Sequence, residues 1–166
     1  TRLEKVLEAM EHHANTAAPS KIYGRTGILE YLQYGYVPCD LYKESVNLTL
    51  DFAHGDYCIA KVCQVLGLEE KANRYFERAN SWKNLLDPET CFLRPKDREG
   101  NFKEPFDPLC WDLDYTEGSA WQVTFGVQHD LAGLAEAMGG RERLLGQLDA
   151  MFAESRPGRV GSRGIE

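Results

Sequence analysis

Between residues 44 and 66 one helical stretch carries two apolar stripes. Val46, Leu50, Ala53, Tyr57 and Ala60 recur on one side, and Leu48, Phe52, Ile59, Cys63 and Leu66 on another. A helix that is apolar on two sides has to be covered on two sides. The next stretch, residues 69–84, has a single stripe of Ala72, Tyr75, Phe76, Ala79 and Trp82, with Glu70, Lys71, Arg74, Glu77 and Arg78 elsewhere, so it needs one packing layer. The same pair then recurs. Residues 117–138 are apolar or small over most of a helical surface, and Gly139-Gly140 separates them from a one-stripe helix carrying Leu144, Leu145, Leu148, Met151 and Phe152. Alternating two-faced and one-faced helices suit a double-layered ring in which inner helices lie between an outer layer and a central cavity. The pattern predicts an all-α fold: an α/α barrel or part of one.

The remaining segments fit around these pairs. Leu3, Val6, Leu7 and Met10 give a one-stripe helix over residues 2–14, and Gly24-Arg25-Thr26-Gly27 leads into a short helical connector at 28–33. Between the pairs runs a long Pro-rich loop of about thirty residues, 85–116, with Pro88, Pro95, Pro105 and Pro108 and a hairpin signal at Arg98-Glu99-Gly100-Asn101. Loops of that length usually line a site. The tail, residues 154–166, carries no apolar pattern and is expected to be disordered, leaving residues 1–153 as the folded unit.

Composition removes several classes of function. The 19 basic and 26 acidic residues give a net charge of −7, and no basic run stands out before the Arg-containing tail, so nucleic acid is not an expected partner. No apolar run is long enough to span a bilayer, and no membrane role is expected. The five cysteines are odd in number and form no C-x-x-C pair, which points to packing rather than a disulfide framework or thiolate zinc. The chain opens on Thr1-Arg2-Leu3 without an initiator Met or signal segment, so a lost beginning is expected and the compartment is unreadable from the residues.

Polar chemistry gathers at Asp114-Tyr115-Thr116-Glu117-Gly118-Ser119-Ala120-Trp121-Gln122, where the Pro-rich loop hands over to a helix. Glu117 is the candidate catalytic acid of this stretch, although acids also decorate first helical turns without further purpose. Trp121 and Gln122 follow within one turn and put an indole and an amide beside the acid, as candidate substrate contacts; core packing is at least as good a reading for the indole. Asp56, inside the two-faced helix, must either pair or face the cavity as a substrate contact. His129-Asp130 reads as structural, because adjacent helical residues point apart.

The segments GYVPCDLYKESVNLTLDFAHGDYCIAKV, WKNLLDPETCFLRPKDREGNFKEPFDP, YTEGSAWQVTFGVQHDLAGL and MGGRERLLGQLDAMF resemble, in order, the middle of the catalytic domain of glycoside hydrolase family 92. That resemblance implies a calcium-dependent, inverting exo-α-mannosidase whose (α/α)6 barrel docks on a β-sandwich, with this chain supplying a partial barrel of about five helices. It further implies a periplasmic or extracellular location, an α-mannoside glycan as substrate, and the missing remainder of the catalytic domain and the β-sandwich as partners. Similarity to the motif Y-x-E-G-N-A-W-Q-Y maps the general acid onto Glu117. Ser119 and Val123 stand where that motif has Asn and Tyr. The family's G-N-E-P and G-N-D-D blocks, which carry calcium ligands and the catalytic base, do not occur in this sequence. The resemblance thus implies a fragment that is inactive alone, its calcium ligands lying outside the chain.

Two alternatives stand beside this reading. A helical-repeat binding module would also alternate helix pairs, but the long Pro-rich loop and the lack of a short repeating consensus argue against it. An inactive remnant of a glycosidase gene would share every feature named so far. Exposed inner-helix residues along an open barrel edge are expected at Val46, Leu50, Phe52 and Phe125.

Overall fold

The computed structural model describes residues 1–20, 23–111, 113–160, 163 and 164. Helix α1, Arg2–Asn15, starts with a capping box in which the Thr1 hydroxyl accepts from the Glu4 amide and the Glu4 carboxylate turns back to the N-terminal ammonium. Helix α2, Ile28–Tyr34, is a short arm held between Gly27 and Gly35, both in the left-handed region. Helix α3, Ser45–Val65, is the long central element, followed by α4, Glu69–Arg78, and a 3-10 turn at Ser81–Leu85.

Both faces of α3 are covered, as its two stripes require. Val46, Leu50 and Ala53 join Trp82, Leu85, Leu93, Trp121 and Leu134 in the main core. Farther along, Ile59, Ala60 and Cys63 pack with Leu7 of α1 and with Ala72 and Tyr75 of α4. Phe52 turns to Ile28, Tyr31 and Val37 in a third cluster. The Pro-rich loop closes over the main core, which holds Val46 and Leu50, through Phe92 and Leu93, while Phe52 is covered in the third cluster; this corrects the expected open edge, since all three are buried rather than exposed and Phe125 is half-buried.

The continuous helix expected over residues 117–138 is also corrected. It is broken into α5, Ala120–Val123, a 3-10 turn at Thr124–Gly126, and α6, Leu131–Ala137. The break has a local cause. Val127 leaves the helical region at φ −79° and ψ 65°, and Asp130 then restarts the helix as an N-cap, its carboxylate accepting from the Gly133 amide at 2.9 Å. Helix α7, Arg141–Ala153, follows the Gly139-Gly140 turn.

The hairpin forms where turn residues signalled it. Lys96 bridges Phe102, the Asp97 and Asn101 backbones are hydrogen-bonded, and Gly100 supplies the left-handed residue at φ 87°. Three two-residue strands complete the described structure: β1, Cys110–Trp111, β2, Arg159–Val160, and β3, Arg163–Gly164, with β2 parallel to β1 and antiparallel to β3. The disorder expected in the tail falls in part on residues 161, 162, 165 and 166, which lie outside the described residues. The whole is an all-α architecture, a partial α/α barrel with a long Pro-rich loop laid over its core.

Candidate functional site

Glu117 stands exposed in a tight turn ahead of α5, rather than on a first helical turn as the sequence suggested. The helix begins later because Gln122 Oε1 accepts from both the Ser119 amide at 2.9 Å and the Ser119 hydroxyl at 2.6 Å, which makes Ser119 the N-cap. Glu117 itself has φ 46°, in the left-handed region. Among the described residues only three other non-glycine residues share that region: Glu44 at 56°, Leu113 at 67° and Cys91 at 59°. Each such residue costs about 1–2 kcal/mol against its right-handed alternative. Three of the four meet at one place, since the Glu44 amide donates to the Leu113 carbonyl at 2.7 Å and the Glu44 carboxylate accepts from Thr116, next to Glu117. Backbone strain concentrated in this way marks a position that the surrounding structure holds against its own preference.

The turn is fixed from below as well. Tyr115 is buried and donates its hydroxyl to the Leu93 carbonyl at 2.9 Å, and burial pushes its pKa up, so it remains a neutral donor. Asp114 is buried and paired with Lys103 at 2.6 Å. Trp121 is buried edge-on against Phe92, with ring centroids 4.7 Å apart, so packing is the role its contacts display. Its indole N–H has no hydrogen-bond partner among the described residues. Gln122 is exposed; its carbonyl oxygen is committed to the Ser119 cap, which leaves its NH2 group for any other contact.

A cavity of about 310 Å³ is lined by Trp111, Ser119, Trp121, Gln122, Glu154 and Arg156. A smaller one of about 70 Å³ lies among Lys103, Phe106, Leu113, Asp114 and Tyr115. Three larger cavities, about 520, 530 and 340 Å³, border Arg25 and Tyr42, Arg74 and Arg78, and Met10 and His13 respectively; Glu117 lines none of these five cavities, and Trp121 and Gln122 line only the one of about 310 Å³.

Asp56 lies apart from these residues. It is completely buried and holds Arg25 Nη1 at 2.8 Å, Arg78 Nε at 2.6 Å, Arg78 Nη2 at 2.7 Å and the Tyr31 hydroxyl at 3.1 Å. Of the two options weighed for it, pairing is what the structure displays. Gly55 permits it, because a Cβ there would stand 2.5 Å from Arg25 Nη2. His129 is likewise embedded, with Nε2 2.9 Å from the Ala79 carbonyl, so that nitrogen carries the proton. Sequence reasoning gave no site role to Glu44 or Asn47, and named Thr116 only as part of the polar stretch around Glu117. Glu44 looked like an ordinary helix start, and nothing in the spacing brings residues 44 and 116 together.

Calcium binds through six to eight oxygens. Among the described residues no three His, Cys, Asp or Glu side chains are grouped to hold a metal ion, so these residues form no carboxylate cage for calcium and no step below runs through one.

The geometry thus gives a helical scaffold with a long loop laid over its core and an exposed acid on a strained turn where the two meet. The catalytic-domain model of glycosyl hydrolase family 92 matches residues 1–164, and the chain belongs to that family. A family 92 inverting mannosidase of Bacteroides thetaiotaomicron, BT2199, is 39% identical with a TM-score of 0.85, over 89% of this chain and 20% of that one. The α-mannosidase BT3965 of the same organism, solved with mannoimidazole, is 34% identical with a TM-score of 0.84, over 93% of this chain and 20% of that one. An uncharacterized secreted glycosidase of Arthroderma benhamiae is 27% identical over 86% of this chain and 22% of its own length. The chain therefore spans about a fifth of the length of these relatives.

Proposed function

We propose that this chain is a segment of an inverting α-mannosidase that removes terminal α-linked mannose from glycans, and that Glu117 is its general acid. A glycosidic oxygen leaves as a strongly basic alkoxide unless it is protonated as the bond breaks, so a positioned carboxylic acid is required. The observation that carries the reading is the exposed carboxylate of Glu117, held in a left-handed turn ahead of α5 and at the motif position of the family's acid. Trp121 backs the site through packing, and Gln122 offers its NH2 group to a sugar hydroxyl. Asp56, named as a substrate contact from sequence, is committed to Arg25 and Arg78 and is better understood as the pin of the scaffold.

The second carboxylate that activates water in an inverting enzyme, and calcium with its ligands, belong on this reading to parts of the domain outside this segment. The exposure of Glu117 supports this, since a proton donor works best where water is excluded and walls from elsewhere must supply that exclusion. The name of the secreted Arthroderma relative supports an exported enzyme, and no described helix is long and apolar enough to cross a membrane.

The test is a pair of measurements. The purified 166-residue chain should release no mannose from mannobiose with or without calcium, whereas a full-length family enzyme whose own segment is replaced by this one should hydrolyse it. A folded but inactive chimera would contradict the assignment, and would favour the inactive-remnant reading. Calcium-dependent release by the chain alone would contradict the claim that it is incomplete.

A further inference from the structure

We propose that Glu44, Asn47 and Thr116 form a clamp that positions Glu117 for proton transfer, the first turn of α3 acting as the fixed jaw. This rests on Glu117 being the proton donor.

Four hydrogen bonds join the N-terminus of α3 to the acid turn. The Glu44 and Val46 amides donate to the carbonyls of Leu113 and Asp114 at 2.7 and 3.1 Å. In return the Thr116 hydroxyl donates to Glu44 Oε2 at 2.8 Å, and the Thr116 amide donates to Asn47 Oδ1 at 3.0 Å. A helix start leaves its first amides without intrahelical acceptors, and α3 has no side-chain cap of its own. The acid turn supplies the missing acceptors, so α3 and the turn complete each other across about 70 residues of sequence. A left-handed glutamate is not a conformation the chain would choose. With Thr116 held at both its amide and its hydroxyl, the next residue is forced to start from a fixed peptide plane, which specifies where Glu117 points.

Glu44 is a carboxylate near the acid, yet its role differs from that of a second catalytic group. One oxygen already accepts from Thr116, and its own backbone is left-handed at φ 56°. It is a positioning residue, as are Asn47 and Thr116.

Loosening the clamp should impair protonation more than sugar binding. In the full-length chimera, Thr116→Val and Asn47→Ala should lower kcat on mannobiose by up to about 10²-fold with KM little changed, since a misplacement near 1 Å costs about that much. On an aryl mannoside with a good leaving group the loss should be several-fold smaller, while Thr116→Ser, which keeps the hydroxyl, recovers most of it. In the 166-residue chain, the amides of residues 113–119 should exchange faster in Asn47→Ala with Tm unchanged. Glu117→Gln is the benchmark. If it discriminates between the two substrates and the clamp variants lose equally on both, the clamp is overturned and the acid stands. If Glu117→Gln fails to discriminate, the acid assignment falls and the catalytic purpose of the clamp with it. Unaltered exchange in Asn47→Ala would show that the turn is not held by these bonds, and would overturn the proposal by itself.

Discussion

Asp56 has no exposed surface and is held by two guanidiniums and a phenol, so its value depends on every partner staying in place. Arg78 grips it through two nitrogens and also reaches Asn15 Oδ1 at 2.8 Å and the Ala14 carbonyl at 3.2 Å, which ties the end of α1 to α3 and α4. Replacing such a pair with well-packed apolar groups can be neutral, but deleting one member leaves an uncompensated buried charge. Asp56→Ala should therefore destabilise the chain by about 3–5 kcal/mol in denaturant titrations. A loss within 1 kcal/mol, the ordinary range for a solvated surface residue, would contradict that role. At this scale the sequence was half legible. An acid inside a two-faced helix had to find a partner, but the partners sit at residues 25, 31 and 78, which no local spacing reveals. The same holds for Glu117: its type and neighbours could be read, whereas the clamp from residues 44 and 47 could not.

The elements whose stripes are clear, one on α1 and α4 and two on α3, were readable because the stripes decide which sides are covered. The stretch after Glu117 misled because small and apolar residues leave a helix ambiguous, while the interrupting features, a departure at Val127 and a fresh cap at Asp130, are short and local. The Pro-rich loop is pinned by Arg94, which is buried, bonds Asp87 at 2.8 Å and lies over Phe106 with its guanidinium carbon 4.4 Å from the ring centroid. Burial would raise the pKa of Asp87, but Arg94, the Thr90 hydroxyl and the Glu89 amide together hold it below the ordinary carboxylate value. A depressed folded-state pKa gives stability that is present above the unfolded pKa, near 3.9, and is lost as pH falls toward the folded value. Thermal denaturation should thus show Tm falling below about pH 4, with Asp87→Asn flattening that acid limb. An acid limb unchanged by Asp87→Asn would contradict this.

As a molecule, the chain buries its inner helix well and leaves its apolar surface elsewhere. Phe152 is 79% exposed and Leu131 56%, and no residue of α7 is fully buried. The relatives it matches are about five times as long, and further chain of that kind would cover such surface; left uncovered, it favours association. Sedimentation should show concentration-dependent self-association at micromolar chain, abolished by Phe152→Asp with Leu131→Asp; a strict monomer at every concentration would contradict it. The central claim is chemical, that Glu117 delivers the proton to the departing sugar. In a full-length enzyme carrying this segment, Glu117→Gln keeps the shape and removes the transferable proton, so kcat on mannobiose should fall by about 10²–10⁴. An aryl oxide of low basicity needs little protonation, so the same variant should lose much less on an aryl mannoside. Selective loss on mannobiose is the predicted result, and equal loss on the two substrates, or near-normal hydrolysis of mannobiose, is the result that would contradict it.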